Sequence, residues 1–378
     1  MSGIRDSRTK RWVVVLVLVI LALGLLVRLH PWSKYSARRG RSAPARAVHP
    51  AHPGQKPAQP KPPATILSKP AAATASVAPA SVEPVNPPPA DKFPRPAATW
   101  LEAQIELARR GISCGSIDGV GGPQSVAALR AFQSNEGLEA TGQLDPETRA
   151  RLVLSSPPLA PISLTPEDLA GLQPLSPTWL GKSQQTALAF ETALELVAER
   201  THANPALIRQ LNPAVDWAAV TPAAALTAPA IGTIAAHPKV ALLRLSLSDH
   251  TLEARDDAGN LIAHFPVSIA RDVEKRPVGE LHVTVIIPNP DYTFDPDVFP
   301  ESEEGRELGR KLILPPGPNN PVGVAWIGLD RPGYGIHGTP APEQVGRTES
   351  HGCFRLANWD ALTLVDLVWV GLPVYVDP

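Results

Sequence analysis

Clustered thiols are missing from this chain. Its only two cysteines, Cys114 and Cys353, lie far apart in a sequence of 378 residues. Zinc needs several Cys or His ligands at short spacing, so this pair makes no metal centre. In an oxidising compartment the two could instead form one disulfide. Aromatic residues are scarce at 5%, whereas prolines number 44, so extended or low-complexity stretches occupy part of the chain. A strong charge of one sign is absent too, the formal net charge being −1. That balance is uneven. Basic residues dominate up to about residue 65, where Asp6 is the lone acid, and the remainder is acidic overall. An acidic globular portion argues against nucleic acid as a partner. At this length two or three folded units with connectors are expected.

The longest hydrophobic run is Trp12–Val27, preceded by Arg5, Arg8, Lys10 and Arg11. A helix apolar on every face belongs in a bilayer or an export signal. Extended to Leu29, it reaches the short end of the roughly 17–25 residues that span a membrane. Arg28, His30 and Trp32 follow in place of a small-residue cleavage pattern. The sequence therefore predicts an uncleaved signal anchor over about 12–29 within a unit 1–41, a cleaved export peptide being the alternative. Residues 42–96 are Pro/Ala-rich and cannot bury enough apolar surface to order themselves. As a polyproline-like spacer of about 3.1 Å per residue, they would reach on the order of 150 Å at most.

Helical spacing begins near residue 97. Leu101, Ile105 and Leu107 recur before Gly111; Val126, Leu129, Phe132 and Gln133 form a second set; a third helix starts at Asp145-Pro146-Glu147 and carries Thr148 and Leu152. Residues 97–154 thus read as a small three-helix domain. Its glycines and motif residues (Gly111, Gly115, Ile117, Asp118, Gly119, Gly122, then Ala128-Leu129 and Phe132-Gln133, then Gly137-Leu138, Gly142, Leu144-Asp145 and Thr148) resemble the helical peptidoglycan-binding module. Asp118 and the glycines are turn chemistry, and Cys114 reads as a small packed residue.

Residues 155–184 read as a linker. In 185–232, Leu188, Leu194, Val197 and Ala198 suggest one amphipathic helix, and Leu207, Ile208 and Leu211 a second, ended by Asn212-Pro213. The run Leu194–Pro213 resembles a degraded LysM repeat, a wall-glycan module with an α/β fold, without the glycine and aromatic signals of its first strand.

Over 237–378 the period becomes two. Leu243, Leu245 and Leu247 alternate with Arg244, Ser246 and Ser248, and Leu281, Val283, Val285 and Ile287 with His282 and Thr284. The expectation is a mainly β domain, interrupted by a Pro/Asn/Asp-rich insertion over about 288–321 that is either a lid or disordered. Chemistry concentrates in Tyr334-Gly335-Ile336-His337-Gly338-Thr339 and in Ser350-His351-Gly352-Cys353-Phe354-Arg355-Leu356. A thiol with a pKa near 8.5 is only about 3% thiolate at pH 7, so a nucleophilic Cys wants an adjacent base, and two histidines are close in sequence. Gly352 allows close backbone approach, and N–H groups around it could form an oxyanion hole. Arg355 could hold a substrate carboxylate or lower the thiol pKa.

These stretches, with Pro316–Gly323 and Arg276–Leu281, resemble the YkuD-type L,D-transpeptidases, with Phe354 where an aliphatic residue is common. The resemblance implies Cys353 as nucleophile, His337 as proton acceptor and donor, and His351 shaping the pocket. It groups Gly352, Arg355, Ser350 and Gly338 as oxyanion and substrate residues, Ser350 supporting the loop. It implies no metal and no cofactor. The whole is expected to be a multidomain protein of the bacterial inner membrane, single-pass, its catalytic domain in the periplasm facing the wall. Its partners would be peptidoglycan stem peptides and glycan. The expected reaction is a cysteinyl thioester with a stem tetrapeptide, releasing D-Ala, then transfer to an amine of a stem peptide or a protein. L,D-carboxypeptidase or endopeptidase action with water, and a non-catalytic wall tether, are the alternatives.

Overall fold

The computed structural model describes residues 92–232, 239–299, 301–348, 350 and 352–378. The expected anchor and residues 42–91 of the Pro/Ala-rich spacer lie outside these, as does His351. Among the described residues no helix is long and apolar enough to cross a membrane.

The first module holds β1 (Arg95–Pro96), α1 (Trp100–Arg109), α2 (Pro123–Asn135), α3 (Pro146–Arg151) and β2 (Val153–Leu154), with β1 and β2 antiparallel. Side-chain caps start two of the helices: the Thr99 hydroxyl accepts from Glu102 N–H, and the Asp145 carboxylate from Thr148 N–H. Leu107, Leu129, Phe132 and Leu152 fill a small core. The Asp118–Gly119 turn is held from inside by Gln104, whose Nε2 donates to Asp118 Oδ1 at 2.9 Å and whose Oε1 accepts from Gly119 N–H at 2.7 Å.

The second module runs β3 (Leu159–Ile162), α4 (Pro166–Ala170), α5 (Trp179–Ser183), α6 (Ala193–Arg200), α7 (Pro205–Leu211) and β4 (Leu226–Pro229). The stretch 155–184 is therefore no bare linker. Its strand β3 pairs antiparallel with β4, and α4 opens with a reciprocal capping box between Thr165 and Asp168. A four-residue strand reading Leu-Ala-Pro-Ile has no alternation to announce it; pairing with a segment far along the chain forms it. Leu101, Ile105 and Ile117 of the first module share one apolar cluster with Leu194, Val197, Leu207 and Ile208 of the second.

The final domain contains β5 (Leu242–Ser246), β6 (Thr251–Arg255), β7 (Leu261–Pro266), β8 (Gly279–Pro288), β9 (Tyr292–Phe294), α8 (Glu303–Leu308), β10 (Leu312–Leu314), β11 (Ala325–Leu329), β12 (Gly335–His337), β13 (Phe354–Arg355), α9 (Asn358–Leu367) and β14 (Pro373–Asp377). Eight strands form one sheet in the order β13-β12-β11-β8-β14-β5-β6-β7. Its two edges meet: Ser268, just past β7, donates to Arg355 O at 2.9 Å and accepts from Arg355 N–H at 3.0 Å. The sheet thus curls onto itself, which satisfies edge groups that would otherwise be open. Leu245, Phe265, Ile327, Val374 and Leu364 of α9 lie in the core this creates.

The insertion over 288–321 is folded. β9 and β10 pair as an antiparallel hairpin, Phe294 stacks on Trp179 with ring centroids 4.4 Å apart, and the Glu304 carboxylate accepts from Trp179 and Leu180 N–H at 2.8 Å each. The first module also joins the final sheet, since Ser113 N–H donates to His264 O at 2.8 Å and His264 N–H to Gly111 O at 3.1 Å.

Candidate active site

Strands β12 and β13 run parallel, pairing Ile336 with Phe354 and His337 with Arg355. That register puts Cys353, one residue ahead of β13, beside the start of β12. The thiol donates to Gly333 O at 3.5 Å, and its sulfur also takes a hydrogen bond from the Gly335 backbone. The imidazole of His337 follows two residues along the same strand. With parallel strands about 4.8 Å apart and a rise of about 3.3 Å per residue, this spacing is local.

The two groups differ in environment. Both cysteines are free; Cys114 is buried and Cys353 partly accessible. Burial pushes the Cys353 thiol up, opposed by the Gly335 hydrogen bond and the Arg355 charge. Burial pushes His337 down to about 4, against its hydrogen bond to the Gly338 backbone. At neutral pH His337 is an uncharged imidazole and Cys353 a protonated thiol. The tautomer follows from geometry. Nδ1 lies 2.6 Å from Gly338 O, so Nδ1 carries the hydrogen and Nε2 keeps the lone pair that can accept a proton. Trp326, the register partner of His337 on β11, stacks on the imidazole at 5.7 Å and holds its plane.

Around the sulfur, Ser350 acts as a brace. Its hydroxyl donates to Cys353 O at 2.6 Å and accepts from Gly352 N–H at 3.2 Å, while its backbone bonds to Ile269 O and Arg271 N–H. The Gly352 N–H expected to line an oxyanion hole is therefore turned toward Ser350. Space is open where a Cβ would stand on Gly352. Arg355 is partly buried and its charge acts on Cys353. Gly338 has no room for a side chain, since a Cβ there would collide with Asn358 Oδ1. The position of His351 lies outside the described residues.

Motif reading missed three neighbours. Tyr292, on the insertion hairpin, has its phenol raised to about 12, first by burial and next by Cys353. Trp326 had no signal beyond lying on a strand. Asn358, 1% exposed, accepts from Val324 N–H at 3.3 Å and donates to Pro318 O at 3.1 Å, locking the turn behind His337. Its signal was only a polar residue at the start of a helix.

Residues 241–376 match the family model of the L,D-transpeptidase catalytic domain, and residues 97–152 that of a putative peptidoglycan binding domain. The putative L,D-transpeptidase YqjB of Bacillus subtilis is 33% identical over 117 residues, 30% of this chain and 57% of that protein. The chain thus spans little more than half the length of that relative. The putative L,D-transpeptidase YkuD of Bacillus licheniformis is 26% identical over 188 residues, 50% of this chain and 94% of that protein. Among solved structures, an L,D-transpeptidase from Mycobacterium smegmatis matches 36% of this chain and 58% of its own at 22% identity, with a TM-score of 0.29.

Proposed function

Because the chain carries an L,D-transpeptidase catalytic domain beside a peptidoglycan-binding domain, we propose that it is a peptidoglycan L,D-transpeptidase working through Cys353. The Sγ of Cys353 attacks the carbonyl that joins the third residue of a stem tetrapeptide to its terminal D-Ala. As the C–S bond forms, the thiol proton passes to Nε2 of His337. As the C–N bond breaks, His337 gives that proton to the departing amine and a thioester remains. An amine of a second stem peptide or of a protein then attacks the thioester, and the sulfur leaves. Arg355 eases thiolate formation by its charge, and Ser350 keeps the Cys353 loop in shape.

The observation that carries this reading is the parallel β12–β13 pairing. In support of it, Cys353, the one partly accessible thiol of the described residues, lies one residue ahead of the strand that pairs with the strand of His337, whose Nδ1 is occupied by Gly338 O. General-base activation of a thiol requires that neighbourhood. The strand–helices–strand order from β3 to β4 supports a LysM-like, glycan-binding role for the second module. The apolar run Trp12–Val27 serves as the membrane anchor, with the folded part facing the wall across the Pro/Ala-rich spacer.

Cys353→Ala tests the reaction directly. Wild-type protein incubated with a stem tetrapeptide should gain the mass of the peptide less D-Ala, and the variant should gain none. Adduct or turnover in Cys353→Ala would overturn the mechanism.

A further inference from the structure

The first module touches the catalytic domain just upstream of the cysteine motif. Gln124 stands second in α2, after the Gly122 cap and Pro123. Its Nε2 donates across the seam to Val345 O. Its Oε1 lies back over Gly115 of its own module, where an added Cβ would come within 3.3 Å. The next residue of the catalytic domain, Gly346, has φ 70°, and a Cβ there would stand 2.7 Å from Gln124 Nε2. Arg347 then pairs with Asp118 Oδ2 at 3.6 Å. Asp118 thus gives one carboxylate oxygen to Gln104 inside its own module and turns the other to the catalytic domain. The Arg347 pair is exposed and screened by salt, so the amide contact is the firmer of the two.

The segment so held leads straight to the chemistry. Val345 is buried, and Gly346 N–H donates to Ser268 Oγ at 2.8 Å, the residue that closes β7 on Arg355. Shortly beyond comes Ser350, whose hydroxyl donates to Cys353 O at 2.6 Å. Gln124 and Gly346 also border a cavity of about 210 Å³ between α2 and the β5–β6 turn, so the segment has open space beside it. A stretch of chain next to open space keeps conformational freedom unless something pins it. Here the first module supplies that pin.

We infer that Gln124 of the peptidoglycan-binding module is a positioning residue for the reaction: by holding Val345 and Gly346 it restrains the segment that carries Ser350 into Cys353. The kinetic consequence rests on the transpeptidase reading, whereas the restraint itself does not. What matters is the donated N–H. A carboxylate at position 124 keeps the length and suits a helix start, yet at neutral pH it has no hydrogen to give Val345 O.

Full-length wild type, Gln124→Glu and Gln124→Ala should be compared in two measurements. The first is turnover of a free stem tetrapeptide, which carries no sugar and so leaves glycan binding by the module out of play. Both variants should lose about threefold to tenfold in kcat, the factor one hydrogen bond is worth, with KM little changed. The second is amide exchange read by mass spectrometry. Both variants should exchange faster over residues 343–348, with α2 and β5–β6 protected as in wild type. An unchanged kcat in both variants overturns the positioning role, whatever exchange shows. Faster exchange throughout α2 in Gln124→Glu overturns it as well, because a loosened module would then be the cause. If wild type itself does not turn over the peptide, the reaction reading falls, and exchange over 343–348 alone decides whether Gln124 holds the segment.

Discussion

At Cys353 burial and charge oppose one another, and burial is the larger effect. The thiolate is therefore not stored in the resting protein; it forms as His337 takes the proton. With His337 held near 4, its base form is fully present from mildly acidic pH upward, and the imidazole does not limit activity near neutrality. The Arg355 charge is one of two influences that bring the thiol back down, so Arg355→Met should move its titration to higher pH. Alkylation of Cys353 by iodoacetamide should then be slower at pH 8 than in wild type and level off at a higher pH. An unchanged profile would remove Arg355 from the electrostatics of the site. Cys114 should be inert in the same assay, since it is buried and its thiol is pushed up by burial and by the charges of Asp360 and Asp118.

Among the elements, the β9–β10 hairpin shows how a stretch without periodicity can still be ordered. Its core is Phe294, fully buried between Trp179 at 4.4 Å and Phe299 at 5.7 Å, with Leu188, Leu312 and Leu314 around it. Trp179 and Leu188 come from the second module, so no local pattern could reveal that packing. Truncating a buried Phe costs about 3–5 kcal/mol. Phe294→Ala should lower the stability of the insertion by that order and speed amide exchange in residues 292–314 before it affects β5–β7. Equal loss of protection in both regions would mean that the hairpin is not a separate unit. Because Tyr292 sits on the same hairpin, the variant should also weaken tetrapeptide turnover.

Across the whole molecule, the three modules meet near two carboxyls, the buried Asp360 and the half-buried Glu199. Asp360 is raised to about 8, first by burial and also by Glu199, against its bond from Ser113. Glu199 is raised to about 8, first by burial and also by Glu195 and Glu343, against the bond from Asn358. Unfolded carboxyls ionise near 4, so through these two groups the folded state holds extra protons up to roughly pH 8; the lowered histidines His202, His264 and His337 act oppositely below about pH 6.5, and stability therefore falls as pH rises from about 6.5 to 8. The melting temperature should therefore be lower at pH 8.5 than at pH 6.5. Asp360→Asn keeps an acceptor for Ser113 but cannot ionise, and should remove roughly half of the difference, two carboxyls sharing it. A pH dependence identical to wild type would show that Asp360 does not titrate in this range.

Local chemistry determined much of this protein by itself. Alternating Leu243, Leu245 and Leu247 dictated a half-buried strand, Asp145-Pro146 a helix start, and the glycine turn near Asp118 its own conformation. The Ser350–Leu356 and Tyr334–Thr339 stretches marked the thiol and imidazole because few other roles call for those residue types together. Only the tertiary structure decided which backbone groups those side chains meet. The closure of Ser268 on Arg355, the pairing of the strand at Leu159 with β4 and the packing of Asn358 Oδ1 against Gly323 and Gly338 all join residues distant in the chain. Contacts of that kind depend on how packed layers lie against one another, and no short-range pattern carries that information.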